Sequence, residues 1–121
     1  MERIAEGEYT VMEVLWHEAP LTAAEVAERA PAEKGWTLAT VKTMLSRLLA
    51  KGLLAHEEEG RRFRYRPAIA RDDYVAEESS RLIDRMFGGS VSPLVAQLAA
   101  REKLTPRDIE EIEALLKALK P

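Results

Sequence analysis

The residues of this chain best suited to meet a polyanion lie together. Its 121 residues include 21 Asp and Glu, yet none falls between Lys34 and His56, where even scatter would put about four. The stretch GWTLATVKTMLSRLLAKGLL, inside that gap, reads as a helix. Projected at about 100° per residue, Thr40, Thr43 and Arg47 form a ridge beside Ala39 and Ala50, flanked by Lys42 and Ser46. Val41, Leu45 and Leu48 fall opposite. A solvated helix face ordinarily carries Glu–Lys pairs. A helix lying in a DNA major groove needs small residues for close approach, threonines against base edges, and an arginine for guanine or phosphate. A carboxylate there would sit among phosphates. The bland alternative is a polar face that meets only water.

A second group of cations follows at once. In LLAHEEEGRRFRYRP the period changes from helical to twofold, giving two strands joined at Glu59-Gly60. Phe63 and Tyr65 share one face, and Arg62, Arg64 and Arg66 the other. Arg61, Arg62 and Arg64 suit sequence-independent contacts to a phosphate backbone. Arg66, before Pro67, fits a structural ion pair as well, and Lys34 and Lys51 fit either solvent or DNA. Glu57, Glu58 and Glu59 must point away or pair with the hairpin arginines. From Lys34 to Arg66 the chain carries eight basic and three acidic residues, a local charge of +5, which leaves −8 on the rest. Local charge, not the net −3, decides whether a polyanion can bind.

Other chemistries find little support. Cysteine is absent, which excludes disulfides, thiolate metal sites and cysteine catalysis. His17 and His56 lack metal-type spacing, Asp72-Asp73 and Glu110-Glu111 suit solvated helix faces, and no glycine loop is built to cradle phosphate. Neither catalytic residues nor a cofactor are therefore expected, and the chain reads as a non-enzyme. No signal pattern opens it and no apolar run approaches the ~20 residues of a membrane span, so a cytoplasmic location is expected. The rival from another class is a winged-helix protein-interaction adaptor whose arginine hairpin meets an acidic partner.

The elements that would position these residues can be read in order. Residues 6–18 form a first helix with Tyr9, Met12, Leu15 and Trp16 at helical spacing, ended by Ala19-Pro20. Thr22-Ala23-Ala24-Glu25 is a capping box opening a short second helix through Ala30. Thr37 caps the third, which runs to Lys51, and Gly52 stops it. Helix, helix, helix, hairpin is the order of a winged helix-turn-helix. From Arg71 the chain is helical again: Val75, Leu82 and Met86 form a stripe ending at Phe87-Gly88-Gly89, the last two a helix–helix corner. A second helix holds Val91, Leu94, Val95 and Leu98, and a third opens at Thr105-Pro106 and carries Ile109, Ile112, Leu116 and Leu119. Each is too thin in apolar residues to close a core alone. They form a self-association module or pack back on the N-terminal unit. The expected fold is mainly α with a small β-hairpin: a winged-helix DNA-binding domain over 1–70 and a three-helix dimerisation domain over 71–121.

These residues resemble the penicillinase and methicillin-resistance repressor family (BlaI/MecI type). The resemblance rests on EYTVMEVLW, LTAAEVAERA, GWTLATVKTMLSRLLAKGLL, the RRFRYRP wing, DRMFGGS and PLVAQLAAREKLTPRDIEEIEALL, which cover nearly the whole chain in order. It implies a homodimeric transcriptional repressor that binds double-stranded operator DNA with inverted half-sites related to TACA/TGTA, dimerised through the C-terminal helices. Thr40, Lys42, Thr43 and Arg47 fall on that family's DNA-contacting helix. The dimer contacts would come from Val75, Leu82, Met86, Phe87, Leu94, Leu98, Ile109, Ile112 and Leu116. Antibiotic-inducible members are inactivated by a signalling protease that cuts an Asn–Phe bond in the second C-terminal helix. Here the corresponding pair is Gln97-Leu98, a departure that puts the same protease signal in doubt. The cysteine pairs of the related copper-responsive repressors are missing.

Overall fold

The computed structural model describes residues 4–120, which divide into two compact units after Tyr74. The first unit begins with α1 (Glu6–His17), a two-residue strand β1 (Leu21–Thr22), and α2 (Ala23–Arg29). A single 3-10 turn (Ala32–Lys34) leads into α3 (Leu38–Ala50), followed by β2 (Leu54–Glu59) and β3 (Arg62–Pro67). Helix α4 (Arg71–Phe87) starts in this unit. The three strands form one antiparallel sheet in the order β1-β3-β2, so the hairpin leans on β1 through Leu21 opposite Tyr65 and Thr22 opposite Arg64.

The helix boundaries follow from local chemistry. Thr22 caps α2 by accepting from the Glu25 backbone N–H at 3.2 Å, while the Glu25 carboxylate accepts from the Thr22 backbone N–H at 2.9 Å. The backbone bond to Thr22 is the main reason the Glu25 carboxyl titrates below its ordinary range. At the far end of α3 the chain reverses through Gly52, whose φ of 77° is a left-handed conformation open to glycine at little steric cost. That reversal lets the Leu53 N–H reach the Leu48 carbonyl at 3.0 Å.

The core of the first unit is assembled from one face of each element. Val11, Met12 and Leu15 of α1, Val26 of α2, Val41, Leu45 and Leu48 of α3, and Leu21, Leu53 and Leu54 around the sheet are all buried. Fully burying one such side chain contributes about 1.5–3 kcal/mol. Gly7 lies where α1 approaches α3, and an added Cβ would sit tightly at 3.2 Å from Met44 Sδ and in ordinary contact at 3.5 Å from Trp36. Tyr9, Trp16 and Tyr74 form an aromatic cluster with ring centroids 5.5–5.8 Å apart. Trp16 Nε1 donates to the Ile69 carbonyl at 2.9 Å, and Arg71 Nε pairs with Glu13 at 3.0 Å, fixing the start of α4. Among the described residues one buried charge sits in this core: Glu8, 3% exposed, accepts from Lys51 Nζ at 2.5 Å.

The second unit holds the rest of α4, α5 (Ser92–Ala100) and α6 (Pro106–Leu119). Gly88 and Gly89 both have positive φ, and the Gly89 N–H closes the end of α4 on the Ile83 carbonyl at 3.1 Å. Val91, expected inside the next helix, is instead its N-cap residue, because Pro93 suits the first turn and not a later one. Thr105 caps α6 through a reciprocal pair of bonds with Asp108, each 3.0 Å, and the backbone N–H of Thr105 holds the Asp108 carboxyl below its usual range. No described residue of this unit is buried.

Candidate nucleic-acid interface

Helix α3 has two unlike faces. Val41, Met44, Leu45 and Leu48 point into the core, and Ala39, Thr40, Lys42, Thr43, Ser46 and Arg47 are all exposed. The N-terminus is fixed by Thr37, whose hydroxyl accepts from the Thr40 N–H at 3.2 Å and lies 3.0 Å from the Thr40 hydroxyl. Thr43 donates its hydroxyl proton to the Ala39 carbonyl at 3.0 Å, leaving a methyl group and an acceptor oxygen for anything that approaches. The first turn of α3 contains no acid, although a helix N-terminus ordinarily favours one. Among the described residues neither Lys42 nor Arg47 has an ion-pair partner.

The hairpin treats its arginines unequally. Pleating puts Glu57, Glu59, Arg62, Arg64 and Arg66 on one face and His56, Glu58, Phe63 and Tyr65 on the other. Arg64 is ion-paired with Glu59, and Arg66 lies 3.8 Å from Glu57. Two of the wing acids thus pair with the arginines beside them. Arg61 and Arg62, at the exposed turn, have no such partner among the described residues. Phe63 stacks on His56 at 4.6 Å, and Tyr65 packs against the core, where burial raises its hydroxyl pKa. Lys51, for which the sequence left solvent or DNA open, is committed to Glu8, whereas Lys34 is exposed.

Between α2, the start of α3 and the hairpin lies a groove of about 220 Å³ lined by Thr22, Ala23, Ala24, Leu38, Lys42, Arg61, Arg62, Phe63 and Tyr65. It brings Lys42 together with Arg61 and Arg62, which stand about twenty positions away in sequence. Leu38 and Phe63, 42% and 41% exposed, form its apolar rim. The sequence placed Phe63 with Tyr65 on one strand face and marked Leu38 not at all. Periodicity gives neither a role, because that both border one groove depends on how the hairpin folds back on α3.

In the second unit, Val75, Phe87, Leu94 and Ile112 are half-buried, while Leu82, Met86, Leu98, Ile109 and Leu116 are exposed. Leu115 and Leu119, 66% and 80% exposed, lie on the same C-terminal helix. Gln97 and Leu98 are exposed on α5. Among the described residues no group of His, Cys, Asp or Glu is placed to hold a metal ion, and no helix is long and apolar enough to cross a membrane.

A helical trio backed by a three-stranded sheet, with a hairpin beside the third helix, defines a winged helix-turn-helix protein. The chain belongs to the penicillinase repressor family, whose profile matches residues 4–118. It is 32% identical to the penicillinase repressor of Bacillus licheniformis over 114 residues, spanning 94% of this chain and 89% of that one. The solution structure of the DNA-binding domain of the repressor BlaI matches with 38% identity and a TM-score of 0.53, over 61% of this chain and 94% of that one. The Bacillus licheniformis BlaI monomer in complex with the blaP half-operator matches with 38% identity and a TM-score of 0.51, over 60% of this chain and 89% of that one.

Proposed function

We propose that this chain is a homodimeric, sequence-specific transcriptional repressor that occludes a promoter by binding an inverted-repeat operator. The observation that carries the reading is the exposed, acid-free face of α3, with small residues and two unpaired cations in a chain otherwise rich in carboxylates. In this reading Ala39, Thr40, Thr43, Ser46 and Arg47 meet base edges in a major groove, and Arg61 and Arg62 hold the flanking backbone. A similar protein is a penicillinase repressor, and a related monomer binds a half-operator, which supports DNA as the partner.

Two copies are needed because a single module buries little DNA surface, and joining two half-sites adds avidity. The second unit fits that role: its helices leave Leu116 54% exposed and bury none of their described residues. Disruption of the second unit, including cleavage beside Leu98, would then separate the half-sites and relieve repression. The test is selection of bound duplexes from a random pool by the purified protein, followed by genomic footprinting. An enriched inverted repeat is expected. Recovery of unrelated sequences at the frequency of the starting pool would refute sequence-specific repression.

A further inference from the structure

The groove between α3 and the wing has a composition that solvent alone does not explain. Three basic residues, Lys42, Arg61 and Arg62, line it, and no acidic residue does, although Glu57, Glu58 and Glu59 are close by in sequence. Gathering like charges without a counter-ion is unfavourable, so the arrangement favours an anion between them. The rim formed by Leu38 and Phe63 adds a requirement that a free inorganic anion does not meet, because its partner must also present apolar surface. A phosphodiester with its deoxyribose has both: a charged oxygen pair and a carbon-rich sugar edge.

We infer that the groove seats one backbone phosphate and its neighbouring sugar, and that Lys42 belongs to this seat and does not read a base. The inference rests on the proposed DNA-binding function and deepens it. Lys42 comes from the recognition helix and Arg61 and Arg62 from the wing, so a single phosphate ties the two elements to one strand. That contact sets how deeply α3 enters the neighbouring groove. Phe63, held by the stacked His56 ring, supplies the wall against the sugar. Position, and not sequence, is what such a contact conveys.

The test uses the full-length protein, the operator recovered by selection, and a random duplex of equal length. Lys42→Ala is expected to weaken binding to both duplexes by the same factor and to flatten the dependence of log K on log salt by about 0.9 per lost contact. Lys42→Ala and Arg62→Ala combined should cost less than the product of the two fold-losses, because both act on one phosphate. Phe63→Ala should weaken binding several-fold with an unchanged salt slope. Loss confined to the operator, or strictly multiplicative losses in the double variant, would overturn the seat. So would an unchanged affinity of Phe63→Ala. Folding is controlled by the thermal midpoint of each variant, which should not move for Lys42→Ala and Arg62→Ala and should fall only slightly for Phe63→Ala, which loses its stack on His56. A wild-type protein with no preference for the selected duplex would instead sink the repressor reading, whatever the behaviour of Lys42.

Discussion

The unequal pairing of the hairpin arginines makes a quantitative prediction for DNA binding. Arg62 has no acidic partner among the described residues, whereas Arg64 is held by Glu59. Each phosphate neutralised by a free cation contributes about 0.9 to the slope of log K against log salt, through release of condensed counter-ions. In a dimer Arg62→Ala weakens one such contact in each protomer, a contact shared with Lys42 and Arg61, so the slope should fall by at most about 1.8. Between about 50 and 200 mM salt this compresses the change in affinity by up to roughly 12-fold relative to wild type. Arg64→Ala removes a charge already offset by a carboxylate and should change the slope by less than half as much. Glu59→Gln releases Arg64 and should steepen the slope. Fluorescence anisotropy with labelled operator at a series of salt concentrations measures all three. Equal flattening by Arg62→Ala and Arg64→Ala would show that the Glu59 pair does not survive near DNA, and the division of the wing argued above would be wrong.

Three further outcomes are expected. Lys51→Met should destabilise the first unit by about 3 kcal/mol in chemical denaturation, since it strands the buried Glu8 carboxylate; a loss under 1 kcal/mol would mean that water reaches Glu8. Arg47→Ala should weaken operator binding by about 1–3 kcal/mol and relax the preference at one base position. Titration of operator and single-base variants checks this, and an unaltered preference would remove Arg47 from base recognition. Leu116→Asp and Leu98→Asp should each give monomers in analytical ultracentrifugation and lose most operator affinity while retaining the fold of the first unit by NMR. An intact dimer in both would place self-association elsewhere.

Much of the winged helix was legible because its signals are local. The Thr22–Glu25 capping box, the Thr37 cap and the Gly52 stop act over three or four residues, and the structure uses all three. The switch to twofold alternation at the hairpin likewise depends on neighbours alone. Strand β1 left no such trace: two residues cannot display a period, and Leu21-Thr22 becomes a strand only because β3 arrives beside it. Nothing local in the sequence marks Glu8 for burial. Its burial depends on Lys51 reaching across from the end of α3, forty-three positions away.

The same distinction runs through the candidate site. By itself the sequence determined that one face of α3 would be free of carboxylates, since helical periodicity fixes which residues share a face once Val41, Leu45 and Leu48 are committed to the core. It also determined that cations would crowd the wing. Only the tertiary structure decided which of those cations remain available. Diagonal neighbours across the strand pair bring Glu59 to Arg64 and Glu57 to Arg66, and chain reversal after Gly52 carries Arg61 and Arg62 back to Lys42. Charge in a sequence is a count, but its effect falls off with distance in space, and that distance is set by packing.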